Sequence, residues 1–182
     1  MKVSELMAGV TPSKSFEGIA NTDDFVLAID ISAPSETRTE TSVGDYEVVQ
    51  GAVAGVDASL DSETSDKTYI REGKSSAKTS TQRTFSLSGD RKHGAAFQDF
   101  IFSHAIKFGT GAKVVRPYVY FSMLTGEGEK GMAAIIVNSD GGGDAGNTAE
   151  FDVDIMATKT PEEYTYTAES AQTFRNAGNQ EV

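Results

Sequence analysis

The fold is decided by the stretch Ala149-Glu-Phe-Asp-Val-Asp-Ile-Met-Ala-Thr158. Two kinds of side chain alternate in it: the apolar Phe151, Val153 and Ile155, and the acidic Glu150, Asp152 and Asp154. Because successive side chains of a strand point to opposite faces of the sheet, this pattern predicts a strand with one buried face and one carboxylate face.

Strand-like patterns extend outward from this stretch over much of the chain. They cover residues 25–31, 45–60, 81–88, 112–123 and 132–137, with Gly-rich or polar turns between them. Short strands of this kind pack as layered sheets. We therefore predict a mainly β protein, a two-sheet β-sandwich or partly closed barrel with one flanking α-helix and long loops.

The predicted helix spans residues 95–108. Apolar positions three or four residues apart place one stripe on it: Phe97, Phe100, Ile101, Ala105 and Phe108. Gly109 and Gly111 end the helix. His104 falls on the stripe and is interpreted as a packed core histidine, whereas His93, before the helix, is interpreted as solvated.

The chain divides into three predicted parts. Residues 1–24 form an N-terminal arm, residues 25–160 form the β-sandwich domain, and residues 161–182 form a C-terminal arm. Within the domain, residues 61–81 are polar and predict a long loop, and long loops in compact domains are usually functional or mobile.

Composition excludes several kinds of chemistry. The 182 residues include no cysteine and only two histidines, which rules out disulfides, thiolate metal sites and a cysteine nucleophile. The net charge of −11 disfavours binding to a phosphate backbone. Neither a membrane span nor a signal-peptide apolar run is seen, so we expect a soluble protein made in a cytoplasm and not exported by that route.

The charge is distributed in blocks. Residues 71–116 carry 9 basic and 3 acidic side chains, whereas residues 1–70 carry 4 basic and 13 acidic ones and residues 139–182 carry 2 and 9. The basic block either neutralises acidic neighbours within one chain or meets an acidic surface of another copy.

Three motifs resemble chemical sites and are better explained otherwise. Residues 126–131 have the letters of a dinucleotide fingerprint without its strand-to-helix context, so we interpret them as a turn. Residues 75–78 have S-x-x-K spacing without the accompanying motifs, which favours a flexible loop. Residues 138–144 lack the ligand order of a calcium loop, which favours a tight turn.

No set of residues indicates catalysis, so we predict no enzyme activity, no metal site and no cofactor. The most informative surface is the row Glu150, Asp152 and Asp154. It is either the solvent-facing side of an ordinary antiparallel sheet or the wall of an anionic channel, to which a passing polyanion would not adhere.

From residue 45 to about residue 165 the order of features resembles the tail tube (major tail) proteins of long non-contractile-tailed bacteriophages. The resemblance is carried by Val53-Ala-Gly-Val-Asp-Ala-Ser-Leu60, Thr84-Phe-Ser-Leu-Ser-Gly-Asp-Arg91, Phe97-Gln-Asp-Phe-Ile101, Tyr118-Val-Tyr-Phe121 and Ala149-Glu-Phe-Asp-Val-Asp-Ile155. The order and lengths of these segments match, rather than any single motif.

The resemblance implies a virion structural protein of the tail, assembled in the host cytoplasm. Copies would form stacked hexameric rings whose strands close one inner barrel that conducts DNA without binding it specifically. Four strands from each of six copies, about 4.8 Å apart and tilted by about 45°, give a barrel roughly 50 Å across. Further implied partners are the tape measure and the tail terminator or initiator proteins, with no membrane.

The resemblance also assigns roles to residues of this chain. Glu150, Asp152 and Asp154 would face the lumen, and the long loops would contact neighbouring subunits. The contact residues expected in those loops are Asp61, Lys67, Arg71, Lys74 and Lys78. The alternative function is a small soluble β-barrel that binds a ligand in an apolar pocket; a pilin-like fibre subunit would need an export signal.

Overall fold

The computed structural model describes residues 1–32 and 42–167. The helices are α1 (Val3–Leu6), α2 (Ala96–Ile101) and α3 (His104–Lys107). The strands are β1 (Phe25–Ile29), β2 (Glu47–Val48), β3 (Val53–Tyr69), β4 (Gly73–Asp90), β5 (Val115–Ser122), β6 (Glu127–Gly142), β7 (Glu150–Ala157) and β8 (Glu162–Thr165). None of the helices in the described ranges is long and apolar enough to cross a membrane.

The predicted mainly β fold is confirmed. All eight strands belong to one antiparallel sheet in the order β2-β1-β5-β6-β7-β4-β3, with β8 also paired to β6. The strands form one continuous, coiled sheet rather than two sheets that are hydrogen-bonded separately, and this sheet does not close into a barrel. Its coiling is seen where Phe85 of β4 meets Tyr120 of β5 with ring centroids 5.0 Å apart, although β6 and β7 lie between these strands.

One face of the sheet, which we call the inner face, holds the main core. Buried residues on it come from β1, β4, β5, β6 and β7, and helix α2 covers them with Phe97 and Ile101. The buried Gln98 ties α2 to the start of β3 and the end of β4, which are neighbours at one end of the strand order. Its Nε2 donates to the carbonyls of Gly51 and Asp90, and its Oε1 accepts from the backbone N–H of Lys92 at 2.7 Å.

The outer face is covered over only part of its width. A second core lies over β1 and β5, where Val3 and Met7 pack with Val119 and Phe121. Tyr166 stacks on Phe121 at 5.3 Å. Residues of both predicted arms therefore pack against the sheet, while the division into three parts remains a prediction.

The predicted helix over residues 95–108 is not one continuous helix but two short ones, α2 and α3. It breaks at Phe102, whose ring packs on Phe151 at 5.5 Å, and α3 begins after Ser103. The break changes the phase of the apolar stripe, so that Ile106 is buried while His104 and Phe108 are exposed. The interpretation of His104 as a core histidine is therefore wrong, whereas His93 is exposed as expected.

The predicted long loop over residues 61–81 is also wrong. These residues continue β3 and β4, which pair from Val53 and Gly89 to Tyr69 and Gly73 as one long hairpin. Both sides of the hairpin are exposed between residues 60 and 82, so no apolar alternation marks the strands in the sequence. The fingerprint-like stretch over residues 126–131 likewise lies mostly within β6 rather than in a turn.

Candidate functional site

The alternation predicted for β7 is confirmed. Phe151, Val153 and Ile155 are buried in the main core. Their neighbours Glu150 and Asp152 are exposed and Asp154 is half-buried, all three on the outer face of the sheet. The three carboxylates therefore stand in a row on the side of β7 that faces away from the main core.

The strands beside β7 extend this row into a polar surface. The residues in register across the sheet run from Ile136 of β6 through Asp154 and Ser86 to Asp57 of β3. The hydroxyl of Ser86 donates to Asp154 Oδ1 at 2.6 Å. We call this surface the carboxylate face: the outer side of β3, β4, β6 and β7 between residues 55–61, 82–90, 134–142 and 150–156.

Asn138 bridges two of the carboxylates, those of Asp152 and Asp154. The sequence pattern does not predict this role. It stands at a bulge, where the register between β6 and β7 shifts from Val137 to Ser139. Its Nδ2 donates to Asp152 Oδ1 at 3.0 Å and to Asp154 Oδ2 at 2.8 Å. A neutral amide thus holds two like charges side by side without a cation. In the sequence Asn138 resembles only a turn residue before three glycines.

The carboxylate face has no group of residues that would bind a metal ion among those described, but its negative charge can repel a polyanion. Across residues 1–32 and 42–167, no three His, Asp or Glu side chains are grouped so that they could hold a metal ion. The donors to the carboxylates described above are hydroxyl and amide groups, which leave the negative charge in place. Such a surface repels a polyanion, because the described residues on it include no cation to exchange for the counterions of that polyanion.

The carboxylate face ends on each side at an unpaired strand edge. Beyond β3, no described strand is hydrogen-bonded to its second edge. On β6, the strand β5 pairs only as far as Val115 opposite Ala134, so among the described residues the second edge of β6 is unpaired over 135–142. Unpaired edges are ready templates for strands of another chain.

The predicted contact residues lie along the β3–β4 hairpin, not in a loop, and are not brought together in one cluster. Asp61 accepts a hydrogen bond from the Thr84 hydroxyl at 2.9 Å. Lys74 pairs with Asp66 at 2.7 Å, and this contact lowers the pKa of the Asp66 carboxyl. The other three, all exposed, are Lys67 opposite Ser75, Arg71 in the turn and Lys78 opposite Thr64.

Much of the basic block is neutralised within the chain. Arg83 contacts Glu129 at 2.6 Å, and Arg91 contacts Asp99 at 2.8 Å. Lys107 pairs with Asp140. Of the two explanations for the charge blocks, pairing inside one copy thus accounts for several of the cations.

The alternative function, ligand binding in a barrel, finds no support in the groove beside the hairpin. This groove of about 670 Å³ lies between residues 78–83 of β4 and residues 160–163. It is open to solvent and bordered by Lys78, Arg83, Glu129 and Glu163. An enclosed apolar pocket, the usual form of a small-molecule site, is not what these residues build.

Comparison with known proteins gives a likeness in fold. No family model matches the chain, and none of the curated proteins matches it. Two solved structures are similar. One is a chain of the "Virion of native gene transfer agent (GTA) particle", 15% identical with a TM-score of 0.52. The other is a chain of the "Tail of empty GTA particle computed with helical refinement, C6 symmetry", 16% identical with a TM-score of 0.51. Each match covers 81% of this chain and 100% of the other.

Proposed function

We propose that this protein is a structural tail subunit of a phage-like virion and that its copies assemble as stacked rings around a DNA-conducting bore. The observation that carries the proposal is the carboxylate face. It spans four neighbouring strands, is backed by the main core, and ends at two unpaired edges.

Each part of this observation supports a different part of the proposal. The two unpaired edges favour association with sister copies, since pairing them removes exposed backbone donors and acceptors. Glu150, Asp152 and Asp154 then line the bore, where they repel DNA and allow it to pass. The fold likeness to chains of a virion and of a tail solved with C6 symmetry supports a location in the tail and favours six copies per ring.

The proposal includes partners and a location. The rings stack into a tube in the tail, after synthesis in the host cytoplasm. The further partners in this proposal are a tape measure protein and the tail terminator or initiator proteins. The β3–β4 hairpin, which projects beyond β7, contacts neighbouring subunits through residues such as Lys67, Arg71 and Lys78.

The test reverses the charge of the bore. The triple variant Glu150→Lys, Asp152→Lys, Asp154→Lys is compared with the parent and with a control that reverses three exposed acids elsewhere, at Glu17, Asp23 and Glu163. Assembled protein is imaged by negative-stain electron microscopy, incubated with short duplex DNA, sedimented and treated with nuclease.

We expect hollow tubes from all three proteins and retention of nuclease-protected DNA by the triple variant alone, because only its bore attracts phosphates. DNA bound by the control is expected to remain sensitive to nuclease, since those side chains lie outside the bore. A parent protein that forms neither rings nor rods at high concentration would contradict the proposal, as would protected DNA in the control.

A further inference from the structure

The two unpaired edges of the carboxylate face are complementary in direction. The pairs β6–β7, β7–β4 and β4–β3 are all antiparallel, so β6 and β3 at the two ends of this four-stranded set run in opposite directions. When identical copies stand side by side, the β3 edge of one copy meets the β6 edge of the next in antiparallel orientation. The association is head-to-tail, which is the type that closes into rings.

From this complementarity we infer that the middle of β3, about residues 55–64, pairs with residues 135–142 of β6 in the adjacent copy. The two strands are displaced along their length by about four to six residues from the register that would continue the rows of the sheet, and we call this displacement the stagger. The inference rests on the proposed function, because it names the partner of each edge in the ring.

The stagger follows from the geometry of a closed barrel. Strands in barrels tilt by about 35–45° and lie about 4.8 Å apart. Four strands therefore span about 19 Å measured perpendicular to the strands, and a path around the barrel across them is displaced along the strands by roughly 13–19 Å, or about four to six residues at 3.3 Å each. Without stagger, Ile136 of the next copy would meet Asp57, the last residue of the row that runs across the sheet.

The structure decides the direction of the stagger. A shift toward the start of β3 would place most of that strand against residues of β6 that β5 already occupies, up to Ala134 opposite Val115. A shift toward the end of β3 places Ile136 opposite residues 61–63 and uses only the unpaired stretch of β6.

The exposed surface of the hairpin agrees with this direction. β7 pairs with β4 only from Thr84 onward, and residues 60–82 of the hairpin are exposed on both sides. Leu60 is 57% exposed in the isolated subunit. A two-stranded ribbon is marginally stable alone and gains from a third strand. The staggered pairing supplies that strand to the part of the ribbon that leaves the sheet.

The test uses the absence of cysteine from the chain. A cysteine at Ile136 is combined with a single cysteine at Asp57, Ser59, Asp61 or Glu63, all of which project from the same side of the sheet as Ile136. Within one chain these positions are separated by two strands, about 14 Å, which is too far for a disulfide. Each double variant is assembled, checked by microscopy, oxidised and run on a non-reducing gel.

We expect a ladder of covalent oligomers on the gel. The cross-linked fraction should be at least about tenfold larger with Asp61→Cys or Glu63→Cys than with Asp57→Cys, because a displacement of two residues along the strand already places the two Cα atoms too far apart for a disulfide. A ladder strongest at Asp57 or Ser59, or no ladder in tubes that do form, overturns the staggered pairing and leaves the proposed function intact. Failure of the parent to form rings or tubes overturns both.

Discussion

Replacing Gln98 with leucine tests whether its buried amide holds helix α2 against the start of β3 and the end of β4. Gln98 is fully buried (0% exposed). Leucine keeps most of the volume but removes the donor to the carbonyls of Gly51 and Asp90 and the acceptor for the N–H of Lys92. The Arg91 guanidinium also donates to Gln98, but it keeps its bonds to the carbonyl of Lys92 and to Asp99. Each group left without this partner costs about 1–1.5 kcal/mol.

The expected magnitude follows from two opposing contributions. Three unsatisfied groups amount to a loss of roughly 3–4.5 kcal/mol, and the more apolar leucine recovers roughly 1–2 kcal/mol. We therefore expect Gln98→Leu to lower the free energy of unfolding by about 2 kcal/mol.

The assay is urea unfolding of unassembled protein followed by circular dichroism. The matched control is Gln82→Leu, because Gln82 is exposed and donates one hydrogen bond, to the carbonyl of Ala157 at 3.2 Å. We expect that control to lie within about 0.5 kcal/mol of the parent. Equal effects of the two leucine variants would refute the reasoning, since they would show that the buried amide contributes no more than an exposed one.

Two further predictions concern close packing and alkaline pH. A side-chain carbon at Gly128 would lie 2.1 Å from the carbonyl oxygen of Tyr120, whereas one at Gly141 meets nothing within 4 Å. Gly128→Ala should therefore cost roughly 2 kcal/mol in urea unfolding and Gly141→Ala much less; similar values would contradict this close approach of the two strands. Burial raises the pKa of Tyr164 to about 12, so its contribution to stability is complete below about pH 10 and is lost as the pH rises from about 10 to about 12. The melting temperature of Tyr164→Phe should fall less steeply over that interval than that of the parent, and parallel curves would exclude the effect.

The sequence predicts those strands that have one apolar and one polar face. β7 and the end of β4 near Phe85 and Leu87 are examples, because their alternation records burial on one side only. The hairpin beyond Leu60 escapes this reasoning, since neither of its faces is buried in the single chain and polar Ser and Thr residues fit a strand and a loop equally well. Its pairing is a long-range property that periodicity does not report.

The helix and the candidate site show the same limit. The stripe through Phe97 and Ile101 predicts α2 correctly, but it does not report that the helix ends at Phe102, whose ring contacts Phe151, a residue distant in sequence. The carboxylates of β7 are found from their spacing. Asn138 is not, because its role arises from a bulge that aligns it with Asp152 and Asp154, and bulges leave no regular pattern in sequence.

The alternation of β7 has a consequence for how such a chain tolerates changes of length. Deleting one residue ahead of Phe151 would exchange the two sides of the strand, sending carboxylates into the interior and aromatic or branched side chains into water. Lengthening the turn at Arg71, between β3 and β4, would leave the facing of all the remaining strand residues unchanged. We therefore expect natural variants of this fold to differ in length at that tip and to keep the count of residues in β7 constant.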